Sequence, residues 1–457
     1  MSHSRAETQS LRPAVRDGVA HAVMLGSGEN YFSVYAIHLQ ASVLQIGFLS
    51  ALPPFLSTFF QFGAVALIER LGKRRSLLVT SATAQALLLL PIAVLGSFHL
   101  PGQTLVSVLI AIVILYWGAS GFIAPLWTSL IGDLVPPEQR GRFFGRRNVY
   151  IGIATVSSLA LAGLTLELSR VFQMESIGFA IIFGVALLAR LYSARCLSQY
   201  PDPKMDLSPE HRFSLWDFLR RSHHSNFARF VYFQASMNFA VFLAAPYFAV
   251  YMLRDLGFNY FQFTLITLAS LLAQFLPMHY WGQISDSFGN KKVLTISGAG
   301  VILAPILWLF SSNFYWLIFA QLYGGFVWAG YNLATANFMF DAVSPPKRAR
   351  CVAYQSLVNA IMLLLGSLLG AWLTGPRFAE PMRDLLPVFL SHGSEFPMLF
   401  LISGGLRLFL LIFWVGRFHE VRTVEQIGHR ELVFRISHLR PIAGATFGFL
   451  MGRQRRR

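Results

Sequence analysis

An acid in the middle of an apolar run is the first residue of this sequence that invites a chemical reading. Glu29 sits in AVMLGSGENYFSVYAIHL, with Asn30 beside it and Tyr31 and Tyr35 following. In hydrocarbon a carboxylate is costly unless it faces a wet cavity, finds a partner or takes up a proton. Burial raises its proton affinity, which makes Glu29 a candidate for proton coupling or for direct solute contact. A structural hydrogen-bond or salt-bridge role is the competing reading. Gly26 and Gly28 would let the segment bend or approach a neighbour closely. Two arginines, Arg190 and Arg407, also lie within apolar runs. Arg190 is near enough to the end of its run to snorkel toward headgroups. Arg407 lies deeper, and pairing with polar groups on neighbouring helices is the expectation for both.

Amides form a third set: Asn238 with Gln234 one turn earlier, Gln274, and Asn332 with Asn337. Asn332 shares a helical face with Trp328, and Tyr116, Trp117, Trp127 and Tyr323 could add aromatic walls. Such residues suit a polar organic ligand, although they also make ordinary interhelical contacts. His21 and His279 fall near the ends of apolar runs, where interfacial roles are expected. There is no Walker loop, dinucleotide-binding glycine pattern or close His/Cys set. An enzyme, a cofactor, a metal site and ATP-driven transport by this chain alone are therefore not expected.

The elements that must position these residues follow from composition. Of 457 residues, 55% are hydrophobic and 13% charged, whereas soluble domains carry about 25% charged residues. The apolar runs approach the roughly 20 residues that cross a bilayer. Expected spans cover residues 19–39, 44–66, 77–98, 105–129, 149–168, 177–194, 227–252, 261–280, 293–310, 315–340, 354–373 and 398–415. The fold class is accordingly all-α, a polytopic membrane protein with twelve transmembrane helices in two pseudo-symmetric six-helix bundles.

A formal charge of +16 could point to nucleic acid, but the basic residues are not gathered into one face or stripe. Of the 37 Lys and Arg residues, Arg170, Arg254, Arg377 and Arg383 fall on one side of the expected topology and Arg190 and Arg407 within spans. The others fall on the opposite side, which the positive-inside rule makes cytoplasmic. Both termini are then cytoplasmic, and anionic headgroups are the expected counter-charge. Cys196 and Cys351 lie near cytoplasmic ends, against a disulfide scaffold. The polar first residues lack a cleavable signal core, so the first span is expected to target the chain. The divisions read 1–18 tail, 19–197 first bundle, 198–226 connector, 227–416 second bundle and 417–457 basic tail. Within the connector, residues 213–221 (FSLWDFLRR) could form an interfacial basic helix or a plain solvated linker.

The halves repeat. IERLGKRR at 68–75 returns as SDSFGNKK at 285–292, YFSVY at 31–35 as YFAVY at 247–251, and DLVPPEQRGR at 133–142 as DAVSPPKRAR at 341–350. Arg190-Leu191 returns as Arg407-Leu408. Several matches in one order are how a duplicated transporter fold shows itself. Glu29 maps to Ala245, followed by Pro246, so the seventh span is expected to contribute a bend where the first contributes charge.

In each turn motif an acid precedes a glycine and then cations: Glu69, Gly72 and Arg74 in the first half, Asp286, Gly289 and Lys291 in the second. The glycine permits a sharp turn, the acid can cap a neighbouring helix end, and the cations anchor the turn. Asp133 and Asp341 precede Arg140 and Arg348 by the same interval, so these pairs are candidate latches between helices. The plain alternative is that all these charges only set topology.

With Gly282, Asp286, Gly289, Lys291 and Lys292 in place, the sequence resembles the major facilitator superfamily, over roughly residues 18–420. The first half departs from the family pattern, with Glu69 for the usual aspartate and Val65 at the leading glycine position. The resemblance implies a secondary transporter that moves a small organic solute by rocking two bundles about a central cavity, in a bacterial-type cytoplasmic membrane. The fourth span lacks a membrane arginine and the fifth a Gly-Pro element, against a conventional multidrug exporter. Protons are an optional second partner, and a monomer is expected. A non-transporting sensor or interaction protein, and a lipid or amphiphile exporter, are the alternatives.

Overall fold

The computed structural model describes residues 12–203 and 225–422, apart from residues 99, 136, 344, 376, 386 and 388–392. Every regular element among them is helical. The first half comprises α1 (Arg12–Ser27), a 3-10 turn (Glu29–Tyr31), α2 (Phe32–His38), α3 (Val43–Leu71), α4 (Arg74–Leu87), α5 (Leu89–Val94), α6 (Gly102–Leu134), α7 (Pro137–Val171) and α8 (Glu175–Leu197). The second comprises α9 (Asn226–Phe242), α10 (Tyr247–Val250), α11 (Tyr260–Phe275), α12 (Met278–Phe288), α13 (Asn290–Ile306), α14 (Phe314–Ala342), α15 (Pro345–Leu373), α16 (Ala379–Asp384) and α17 (Phe396–Val415).

Among the described residues, 10 helical stretches are long and apolar enough to cross a bilayer. The chain is a multi-pass membrane protein. Large apolar side chains such as Leu161, Leu188 and Ile412 are exposed, a liability in water but an ordinary surface in lipid. Two expected spans fall outside those 10. The first is broken around Gly28, and α14 carries Gln321, Asn332, Asn337 and Asp341 among its apolar residues. The connector segment 213–221 and the basic tail beyond Arg422 lie outside the described residues.

Local chemistry repeats along with the sequence. Ser42 and Gln45 form a capping box at the start of α3, and Asn259 and Gln262 form another at the start of α11. Each satisfies two orphan backbone donors where the chain turns into a helix. The bend expected at Pro246 is present: α9 ends at Phe242, the chain turns, and α10 resumes the helix.

The apolar cores show how the halves meet. One core joins residues of both, including Tyr31, Phe183, Tyr247, Ile266 and Phe400. Toward the end bearing the Gly72 and Gly289 turns, hereafter the basic end, each half has its own core, one around Leu78 and Leu130 and another around Trp281 and Phe338. The halves are thus sealed together at the end opposite the basic turns. There α3 packs on α15 and α7 on α11. Ser367 Oγ donates to the Gly47 carbonyl at 2.9 Å, and Tyr247 donates to the Ser367 carbonyl. Tyr31 and Thr264 hydroxyls lie 2.9 Å apart across the seam. At Gly163 a Cβ would lie 2.1 Å from Thr264 Oγ1, so only glycine admits this approach.

Candidate functional site

The first helix breaks where its acid sits. After Ser27 the chain turns through Gly28 and the Glu29–Tyr31 3-10 turn before α2 begins. The break leaves carbonyls without helical partners, and Asn30 Nδ2 donates to the Leu25 carbonyl at 2.8 Å. Glu29 is half-buried, and Tyr116 of α6 donates to its Oε2 at 3.0 Å. Asn30 is exposed. Tyr31, expected near the solute, is wholly buried in this conformation. It donates to the Leu159 carbonyl at 2.8 Å and meets Thr264, so it belongs to the seal. The expected close approach at Gly26 is found, since a Cβ there would overlap Ser158.

One helical face of α1 carries a second set of polar groups. Asp17, placed in the N-terminal tail by the span boundaries, lies inside α1 and is 3% exposed. Its Oδ1 accepts from Ser193 Oγ at 2.7 Å, and its Oδ2 accepts from Tyr200 at 3.3 Å and lies 3.7 Å from Arg147 Nη2. Ser193 in turn accepts from Arg190 Nη1 at 2.8 Å. Arg190 Nε donates to Gln85 at 2.8 Å, and Nη1 lies 3.2 Å from His21 Nδ1. Arg190 therefore does not snorkel: it is buried and bonded within its own half. His21 belongs to this network instead of the interface. Arg147, counted among loop cations in the charge pattern, is held by Asp17 and by the Ala14 carbonyl and lies over the Trp127 ring. Asp17, His21, Trp127, Arg147 and Arg190 line a cavity of about 290 Å³.

In the second half Arg407 lines a cavity of about 290 Å³ whose wall also includes Ala245, the counterpart of Glu29. Asn238 is half-buried on α9, and Asn332 is exposed on α14 one turn from Trp328, which also lines that cavity. An exposed amide on a helix otherwise so apolar fits a wet surface better than lipid. Gln234 of α9 accepts from Gln355 of α15.

At the basic end Gly72 and Gly289 adopt positive φ, 60° and 90°, as the turn motif requires. The side chains of Glu69, Arg140 and Arg348 lie outside the described residues. Arg74, expected to anchor the turn on the cytoplasmic side, is buried. It donates to Asp133 Oδ2 at 2.6 Å, Ser129 at 2.9 Å and the Pro203 carbonyl at 2.9 Å. Asp133 thus latches to the turn motif. In the second half Asp341 accepts from Asn290 at 2.7 Å and pairs with Arg422 at 2.7 Å, while Asp286 pairs with Arg422 at 3.3 Å. Gly282 faces Leu333 of α14, with 3.9 Å from a built Cβ to its side chain.

The segment after each half folds back onto that half's glycine turn, a contact no motif announced. Asp202 accepts from the Arg75 backbone N–H at 3.1 Å, and Glu420 from that of Lys291 at 2.7 Å. Each acid caps the start of the helix after the glycine turn. Their nearly equal distance from the two turns was the available signal. A Cβ at Gly289 would lie 2.6 Å from Glu420 Oε2, whereas at Gly72 it meets nothing within 4 Å. Gly289→Ala is therefore expected to lower stability by about 1–2 kcal/mol or more, with a smaller loss for Gly72→Ala, as read by thermal unfolding in detergent.

Repeated helical halves sealed at one end, with charged groups held inside each half, define a duplicated all-helical membrane fold. The sequence profile of the Major Facilitator Superfamily matches residues 20–237 and 228–452, and the chain belongs to that superfamily. A mouse relative, Major facilitator superfamily domain-containing protein 10, is 31% identical over 110 residues, 24% of each chain. Organic cation/carnitine transporter 7 of Arabidopsis thaliana is 25% identical over 151 residues, 31% of this chain and 30% of the relative. These matches thus span a quarter to a third of the curated relatives. Among solved structures, a D-xylose-proton symporter superposes with TM-score 0.69 at 14% identity, covering 92% of this chain and 99% of that one. A bacterial homologue of the human lysosomal transporter Spinster, inward-facing and unoccupied, gives TM-score 0.60 at 14% identity over 92% and 99%. At such identities the likeness concerns the fold.

Proposed function

We propose that the protein is a secondary active transporter that moves a small organic solute by alternating access, with Glu29 coupling the movement to protons. In this reading twelve spanning helices form two six-helix bundles, residues 19–197 and 227–416. Both ends of the chain lie in the cytoplasm, against anionic headgroups, and the protein acts as a monomer. The observation that carries the reading is the unequal joining of the halves: a common apolar core at one end and separate cores at the basic end. With the basic end cytoplasmic, this is an inward-facing conformation.

Rocking must break the Tyr31–Thr264 and Ser367–Gly47 contacts and bring the basic turns together. The Arg74–Asp133 and Arg422–Asp341 pairs hold each turn to its own half, so the bundles move as units. Glu29 suits a coupling role because it lies at the helix break, half-buried, with one neutral donor in Tyr116. A carboxylate so placed can gain or lose a proton as its access passes from one side of the membrane to the other.

Reconstituted in liposomes, the protein should carry a solute found by a binding-stability screen, and an imposed pH gradient should drive accumulation. Glu29→Gln is expected to abolish the gradient-driven component while leaving solute counterflow. Accumulation that responds equally in the variant would remove Glu29 from coupling.

A further inference from the structure

The two halves keep an arginine at the same place but differ in what surrounds it. Arg190 and Arg407 are 217 residues apart in the repeat. Around Arg190 the charges are matched: Asp17 and Glu29 stand with Arg147 and Arg190. At an offset of 217, Asp17 and Gln85 become Gln234 and Ile302, and at 216 Glu29 becomes Ala245. Arg147 has its counterpart in Gln355, at the offset of 208 found for the neighbouring loop. The Asp17–Arg147 ion pair of the first half is accordingly an amide pair, Gln234–Gln355, in the second. The acids have gone and Arg407 has stayed.

Arg407 is 3% exposed, and among the described residues it forms no ion pair. Its Nη1 donates to the Val301 carbonyl at 2.9 Å, while Nε has no partner. The hydroxyl of Tyr331, within electrostatic reach, is also unpartnered and buried. A cation held at this depth without an opposite charge is strongly unfavourable. It lines the cavity of about 290 Å³ together with Ala245, Phe248, Gln274, Trp308 and Trp328. That volume is near the lower end of small-molecule sites, roughly 300–1,000 Å³.

We propose that this cavity binds the transported solute as a small organic anion, its carboxylate or sulfonate paired with Arg407 and its apolar or aromatic body packed among Phe248, Trp308 and Trp328. The proposal rests on the transporter reading and names the substrate class for it. The amide of Gln274 supplies a further polar contact, and Ala245 leaves the space that an acid occupies in the first half.

The test uses the purified full-length protein and radiolabelled benzoate, with benzenesulfonate, benzamide and benzylammonium as competitors. Saturable benzoate binding is expected, displaced by benzenesulfonate and at least tenfold less well by the neutral and cationic analogues. Arg407→Gln should weaken it about ten- to hundredfold, with Arg407→Lys in between. Displacement that ignores charge, no saturable binding of either anion, or unchanged affinity in Arg407→Gln would overturn the proposal. Should Arg407→Gln not fold, the order of competitors on the unmodified protein decides by itself. Counterflow of the same compounds in liposomes separates the two readings. Flux of benzamide or benzylammonium untouched by Arg407→Gln would leave a transporter without an anion site. Charge-selective binding with no flux of any compound would leave an anion site without a transporter.

Discussion

Asp17→Ala is expected to lower the free energy of unfolding by about 3–5 kcal/mol, the range for removing one partner of a buried ion pair. Asp17 faces Ser193, Tyr200 and Arg147, and through Ser193 it is linked to Arg190. Its removal leaves Arg147 and Arg190 as cations inside the protein, with Glu29 the remaining acid near Arg190 among the described residues. The second half already shows a neutral solution at this place, the Gln234–Gln355 pair. The double variant Asp17→Gln, Arg147→Gln is therefore expected to regain most of what Asp17→Gln alone loses. Thermal unfolding in detergent across the double-mutant cycle measures this. Losses that simply add would show that the two side chains act independently.

Gly163→Leu should have the largest effect on the cycle. The added side chain would start 2.1 Å from Thr264 Oγ1, at the seam that seals the halves. Overpacking of this kind costs about 1–3 kcal/mol, and it falls on the sealed conformation alone. A penalty of about 2–3 kcal/mol shifts a two-state equilibrium by roughly thirty- to 160-fold. Transport should then fall by a similar factor as the protein is held open on the other side. Ala371 is 4% exposed and lies against Gly47 in the same seam. With Cys196 and Cys351 replaced by serine, a cysteine introduced at Ala371 should resist an impermeant maleimide in the parent background and react once Gly163→Leu is added. Equal labelling in both backgrounds would show that the seam does not open.

Much of the architecture was legible because its signals are local. Apolar runs, the Gly72 and Gly289 turns, the Pro246 bend and the repeated loops each depend on a few neighbouring residues. Glu29 stood out for the same reason, as an acid inside an apolar run. Asp17 did not, because it sits one helical turn before the run becomes continuously apolar, and its burial is imposed by α7 and α8. Arg147 likewise carried the signature of a loop cation, and only its position against α1 turns it into an ion-pair partner. Asp133 stood out as a latch residue from its own loop motif, but its contact with Arg74, 59 positions away, had no local signal.

By itself the sequence determined a repeatedly membrane-crossing chain and its duplication, since hydropathy and motif matches add up along short stretches of backbone. Tertiary structure decided which polar groups meet, because Arg190 and Gln85 are 105 positions apart and Tyr31 and Thr264 are 233. Such contacts depend on how each helix is rotated about its axis and how closely it packs, and no run of neighbouring residues encodes either. The same holds for the imbalance between the halves: the repeat displays Arg190 and Arg407 as equals, and their surroundings among the described residues show acids beside the first and none beside the second.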